Sequence, residues 1–262
     1  VITTPKKDFE EFTTNEIIKY INNGGKILWL NSSYTSAKDL PNVNKILALY
    51  GIKPFDVGYI YETDSEKTVH GYASCMVENL GSTDIAKKLT DVVLSAATKI
   101  NVDKDSLTDL GVTEEDIIST TNTSYFRSNI SNTSISSDGD EQGGFIVGGI
   151  FNKTISSDED SDNKKESKLV IFGDNNFVSD IQITNQEGPM IFLRNNKDLM
   201  LNSIAYLTNN DQDITIRKDY TKATSFTPTD AQKLTIARII YMVPIAIILV
   251  GFIVWQVRKR KK

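Results

Sequence analysis

Two side chains on which much enzyme chemistry depends are almost missing: the sequence has one cysteine and one histidine in 262 residues. A single thiol excludes a disulfide within the chain and any zinc cage built from cysteines. A single imidazole removes most chemistry that relies on histidine as base or ligand. Excess positive charge is lacking too. Against 34 acidic residues stand 29 Lys and Arg, a net charge of -5, which argues against nucleic acid as the main partner. No leader-like segment opens the chain at Val1, although its far end is membranous. The expectation is therefore the C-terminal part of a longer precursor.

What is present is a long uncharged run. "IIYMVPIAIILVGFIVWQV", residues 239–257, spans roughly 28 Å as a helix, about the thickness of a hydrocarbon core. Tyr241 and Trp255 lie near its two ends, as interfacial aromatics do, and Pro244 falls early in the run, where proline disturbs a membrane helix least. The tail "RKRKK" (Arg258, Lys259, Arg260 and two further lysines) is a dense cationic cluster of the kind retained in the cytoplasm. The bulk of the chain is thus expected outside the membrane and the C-terminus inside. "TPTDAQ" would start the helix before the membrane, giving a juxtamembrane portion over 226–238, a span over 239–257 and a basic tail over 258–262.

Residues 1–225 read as one extracytoplasmic α/β domain. In "TTNEIIKYINNGGKILWLNSS", Ile17, Ile18 and Ile21 have helical spacing, Thr14 is a candidate N-cap, and Gly24 and Gly25 stop the helix. Ile27 to Leu30 then forms an apolar run suited to a strand buried on both faces. "LPNVNKILALYGIKPFDVGYIYE" repeats the plan, with a helix through Val43, Ile46, Leu47 and Tyr50, a stop at Gly51 and a strand near Val57 to Tyr61. Further apolar runs are "DVVLSAA", "DIISTT", "GGFIVGGIF" and "KLVIFG". Helices alternating with apolar strands imply a mostly parallel, helix-covered sheet. Two polar stretches, about 127–142 and 156–167, read as exposed loops flanking a hairpin-like "GGFIVGGIFNKTI". "NKDLMLNSIAYLTNN" reads as a helix that turns Leu199, Ile204 and Leu207 inward, and "QDITIRKDY" as a last strand.

Candidate chemistry is sparse. Cys75 and His70 lack the sharp turn of a nucleophile elbow, so a buried cysteine and a surface histidine fit better than a catalytic pair. Asp158, Asp160 and Asp162 alternate as at the start of a calcium loop, but Asn163 and Leu169 occupy the places that need glycine and glutamate. The paired glycines 143–144 and 148–149 match no phosphate loop and suit a bent strand. The stretch most like a site is "KLVIFGDNNFVSD", 168–180, where a strand ends in Gly173 and Asp174. Asp174, with Asn175 and Asn176, is the candidate ligand-binding group, since ligands gather at such strand ends. Asp174 equally suits a turn in which its carboxylate accepts backbone N–H bonds, with Phe177 filling core. No metal or cofactor is expected.

The order of these segments resembles the GldG-like family, auxiliary proteins of bacterial ABC transport systems named from gliding motility. "TTPKKDFEEFTTNEIIKYINNGGKILWLNSS" is similar to the family's G-P-x-x-D…Y-x-x-x-G-G-x-L-L-x-L block, and "LPNVNKILALYGIKPFD" to its L-x-x-L-L-x-x-Y-G-I block. "KLVIFGDNNFVSD" resembles its R-x-V-V-x-G-D-x-D-F-x-S-N signature, with Asn176 in place of the second acid. The terminal apolar helix completes the order. The resemblance implies a Rossmann-like, class I glutamine-amidotransferase-like fold without that fold's catalytic cysteine. It also implies a second membrane helix and more sheet upstream. The partners it implies are an ABC permease, its ATPase and the lipid bilayer. The function expected is a non-enzymatic, membrane-anchored accessory subunit binding substrate or permease. The alternatives are a membrane-tethered envelope hydrolase using Asp174, and a structural envelope protein.

Overall fold

The computed structural model describes residues 1–33, 39–131, 139–155, 165–184, 188–210 and 230–260. The chain divides into two compact units, Val1–Ile216 and Arg217–Lys262. In chain order the first carries β1 (Ile2–Thr3), α1 (Glu11–Asn22), β2 (Lys26–Leu30), α2 (Pro41–Ala48), β3 (Tyr59–Glu62), β4 (Thr68–Val69), β5 (Tyr72–Asn79) and β6 (Asp91–Ser95). It continues with α3 (Leu107–Leu110), β7 (Val112–Ser119), β8 (Ser124–Arg127), β9 (Glu141–Gln142), β10 (Ile146–Ile155), β11 (Lys165–Phe172) and α4 (Asn196–Thr208). The second unit holds α5 (Asp230–Arg260).

The class is α/β, but the central sheet is mixed rather than mostly parallel. Its five strands run β1-β2-β11-β10-β7. β1 and β11 both lie parallel to β2, whereas β10 is antiparallel to both β11 and β7. The apolar strands that suggested parallel pairing report burial on both faces, which is independent of direction. In β2, Leu28 and Leu30 join one core with Val170 and Phe172, while Ile27 and Trp29 join the other with Leu169 and Ile171. Period-two alternation thus feeds two cores from one sheet. Burying each such side chain is worth about 1.5–3 kcal/mol, so this layer is the main source of stability.

One core is closed by the helices. Ile21 of α1 and Val43, Ile46 and Leu47 of α2 pack on β2 and β11 together with Tyr50. α2 ends at Ala48, and Gly51, at φ 71, makes the reversal that the stop residue predicted. Thr14 is not an N-cap: it lies inside α1, buried, its hydroxyl donating to the carbonyl of Glu10 at 3.1 Å. Glu10 takes the cap position without a side-chain cap bond.

The other core is closed by α4, by Phe177 and by two small antiparallel sheets, β3-β8-β9 and β4-β5-β6. Leu199 and Leu207 of α4 are buried as expected, but Ile204 is 42% exposed because it faces away from the sheet. Asn196, fully buried, fastens α4 to β6: it accepts from the Val93 N–H and donates to the carbonyls of Val93, Phe177 and Met190. The hairpin-like "GGFIVGGIFNKTI" is no hairpin of its own: from Ile146 onward it is the single long strand β10, whose register shifts at Gly148 and Gly149. The strand predicted near Val57 begins at Tyr59. The first polar stretch begins in β8 and ends in β9, so its edges are strand. The interior of the second polar stretch, the calcium-loop-like acids and "QDITIRKDY" lie outside the described residues.

α5 is a continuous helix of 31 residues, long and apolar enough by length and composition to cross a membrane. Tyr241, Pro244, Trp255, Arg258, Lys259 and Arg260 are all exposed along it. Because the helix starts at Asp230, Pro244 sits in its interior rather than its first turns and cannot donate to the Ile240 carbonyl. The Lys259 ammonium lies 5.0 Å from the centre of the Trp255 ring, a pairing suited to an interfacial end.

Candidate functional site

The strand end that the sequence singled out is a tightly fastened turn. Asp174 is 1% exposed. Its Oδ2 accepts from the Ser95 N–H at 2.7 Å and its Oδ1 from the Asn176 N–H at 2.6 Å. Burial pushes this carboxyl up to about 7, against the pull of N–H bonds from Ser95, Asn176 and Phe177. Asn175 donates to the Thr4 hydroxyl at 3.1 Å and Asn176 to the Ser95 carbonyl at 3.0 Å. Phe177 is buried against Phe172, ring centres 5.0 Å apart. The three polar side chains therefore tie β11 to β6 and to the start of the chain. His70 and Gly71, at φ 53 and 75, form the two-residue turn between β4 and β5, the left-handed pair that a type I′ hairpin needs. His70 is exposed and Cys75 buried, 3.7 Å from the Ser95 hydroxyl.

Two buried carboxylates went unnoticed in the sequence. Glu62 and Glu78 are 1% and 2% exposed. Glu62 is well held: its Oε1 accepts from the N–H groups of Thr63 and Asp64, and its Oε2 from the Thr121 hydroxyl. The Oε1 of Glu78 has no hydrogen-bond partner among the described residues. Burial pushes the Glu78 carboxyl up to about 7, the neighbouring Glu62 adds to this, and Lys67 opposes it. Among the described residues no group of three or more metal-ligating side chains comes together.

A groove also opens beside β8 and β9, in two lobes of about 550 and 500 Å³ that share Asp56, Lys99 and Glu141. The Lys99 ammonium contacts the Glu141 carboxylate and lies 4.5 Å from the Phe126 ring centre and 5.6 Å from that of Phe145. Asn101 donates to Asp56 at 3.3 Å. Next in sequence to Glu141 is an ion pair with a buried arginine: Arg127 donates through Nε and a terminal nitrogen to the half-buried Asp140, which also accepts from Tyr61. Arg127 is 2% exposed and stacks 4.5 Å over the Tyr61 ring. Burial alone would raise the Asp140 carboxyl, but the bonds from Arg127 and Tyr61 outweigh it and hold the group below its usual range.

No protein-family model matches this chain, and no curated protein matches it. Among solved structures it is similar to one described as the mmIFT52 N-terminal domain. The likeness is 15% identity and a TM-score of 0.48, over 78% of this chain and 74% of that one. A likeness of that degree carries no functional argument.

Proposed function

We propose that this chain is a non-enzymatic, membrane-anchored accessory subunit of an ABC transporter, of the GldG-like kind. The observation that carries the reading is the order of sequence blocks, each in register with an element of the fold. The helix–Gly-Gly–strand block is α1 and β2, the Y-G-I block closes α2, and the G-D-x-x-F signature ends β11. An apolar helix with a cationic end follows, as in that family. In this reading β1, β2 and β11 are the parallel remnant of a Rossmann-like, class I glutamine-amidotransferase-like sheet. α5 crosses the membrane with Arg258, Lys259 and Arg260 on the cytoplasmic side, as the positive-inside rule favours, and packs beside the permease. The α/β unit is then extracytoplasmic and meets either substrate or permease. At the strand end Asn175 and Asn176, half-buried, are the groups nearest the surface, while Asp174 shapes the turn.

Affinity capture of the tagged full chain from mild detergent, followed by mass spectrometry, tests this. Co-recovery of an ABC permease and its ATPase is the expected result. Repeated recovery without either overturns it.

A further inference from the structure

We propose that the cationic end of α5 binds anionic lipid headgroups, gathering them around Arg258, Lys259 and Arg260. The inference rests on the reading that α5 crosses a membrane. Five of the chain's 29 basic residues stand in its last five positions, 258–262. The net charge of -5 includes these five cations, so residues 1–257 carry -10. Attraction to a negative surface is therefore concentrated in the tail. Asp230 is the sole acid of α5 and stands at its opposite end, about 42 Å from Arg258 along the axis, so no carboxylate of the helix neutralises these cations.

Geometry favours a bilayer over a groove on a partner protein. Trp255 is exposed, and its ring is of the kind that settles where hydrocarbon meets headgroups. Lys259 stands one turn further on, about 6 Å along the axis, with its ammonium 5.0 Å from the centre of that ring. A ring held at the boundary thus holds the ammonium at the depth of the lipid phosphates. Successive helical residues are about 100° apart, so Arg258, Lys259 and Arg260 are spread over about 200° of the circumference. All three are exposed. Cations spread around a helix suit headgroups that surround it, whereas a protein groove needs them on one face. Lysine meets a phosphate as a point charge and arginine meets it bidentately, and dense basic clusters at the end of a membrane span attract acidic lipid in this way.

Fluorescence quenching by brominated lipid tests this on the full chain, reconstituted in vesicles of equal parts phosphatidylcholine and phosphatidylglycerol. Bromine sits near the headgroup end of the acyl chains, on phosphatidylglycerol in one arm and on phosphatidylcholine in the other. It quenches by contact. The chain has two tryptophans: Trp29, 1% exposed in its core, gives a constant background, and Trp255 reports its lipid neighbours. Lys233 and Arg238 lie toward the other end of α5, so lipid drawn to them does not reach Trp255. Both leaflets are alike, so the direction of insertion does not affect the readout. Phosphatidylglycerol should occupy the places beside Trp255 at least about threefold more often than phosphatidylcholine. Replacing all five cations (Arg258→Gln, Lys259→Gln, Arg260→Gln, Lys261→Gln and Lys262→Gln) should equalise the two arms. Equal quenching of the wild type in both arms overturns the inference, leaves the membrane reading standing and points to an acidic protein segment instead. A preference that survives neutralisation of the tail also overturns it. No quenching in either arm overturns the membrane reading and the inference with it. If the neutral variant fails to insert, salt raised to roughly 1 M on the wild type takes its place: the preference should shrink, and an undiminished one overturns the assignment.

Discussion

Glu78→Gln exchanges a buried carboxylate for a neutral side chain of the same shape, and its effect should depend on pH. In the folded chain the Glu78 carboxyl is pushed up to about 7 from its usual 4.5, by burial first and by Glu62 second, with Lys67 opposing. Below the lower value the group is protonated in both states. Between the two values the unfolded chain releases its proton and the folded chain keeps it, so stability falls as pH rises. The fall is complete once pH passes the folded value. The separation, 7 less 4.5, multiplied by 1.36 kcal/mol per pH unit, gives a loss of about 3 kcal/mol above neutrality. Glutamine escapes this loss. The variant should therefore match the wild type near pH 4 and exceed it by about 3 kcal/mol at pH 8. Urea unfolding followed by the fluorescence of buried Trp29, over roughly pH 4 to 8.5, measures both curves. Asp174 is shifted in the same sense but is present in both proteins, so the difference isolates Glu78. A variant no more stable than wild type at pH 8, or a gap that does not change with pH, refutes the reasoning.

Asp174→Ala strands the N–H groups of Ser95, Asn176 and Phe177 in a buried turn. At about 1–3 kcal/mol per orphaned donor it should cost about 3 kcal/mol or more in urea unfolding near pH 4, where the raised carboxyl of the folded wild type is protonated and carries no buried charge, and a loss under about 1 kcal/mol counts against it. Gly173→Ala would place a Cβ 1.9 Å from the Thr98 carbonyl oxygen, a backbone atom with no rotamer to escape into. The variant should fail to accumulate or lose at least about 3 kcal/mol, and a wild-type melting temperature refutes the close approach. Arg127→Met leaves the half-buried Asp140 without its cation. It should cost about 1.5–3 kcal/mol by thermal or urea unfolding, and near-neutral stability would show that the pair holds nothing together.

The helices and strands nearest the N-terminus were legible because each carries its own period and its own stop. Ile21 marks the inner face of α1, Gly51 ends α2, and Ile27 to Leu30 reads as a doubly buried strand. Strand direction was not legible, since an apolar run records what covers a strand and not which way its neighbour runs. β11 returns antiparallel to β10 because only residues 156–164 join them, too few for a crossover helix. Asp174 as a turn builder followed from a strand running into Gly-Asp-Asn-Asn. Glu78 was detectable by parity, standing two residues after buried Met76 on the same strand. Lys99 and Glu141 were not: they are 42 residues apart, and only the fold brings them together.

The parallel pairing of β2 with β11 also sets a timetable for synthesis. Ser167 donates to the carbonyl of Gly25, 142 residues earlier, at the start of that pairing. At about 5–20 residues per second, β2 leaves the ribosome roughly 7–30 s before the strand that flanks it. Throughout that interval Ile27, Leu28, Trp29 and Leu30, later among the most enclosed side chains, have no β11 to lie against. The nascent chain is thus most exposed to mispairing in β2, where a holding chaperone would matter most. A message truncated before the codon for Lys165 would yield a product in which β2 keeps β1 but lacks its longer partner β11.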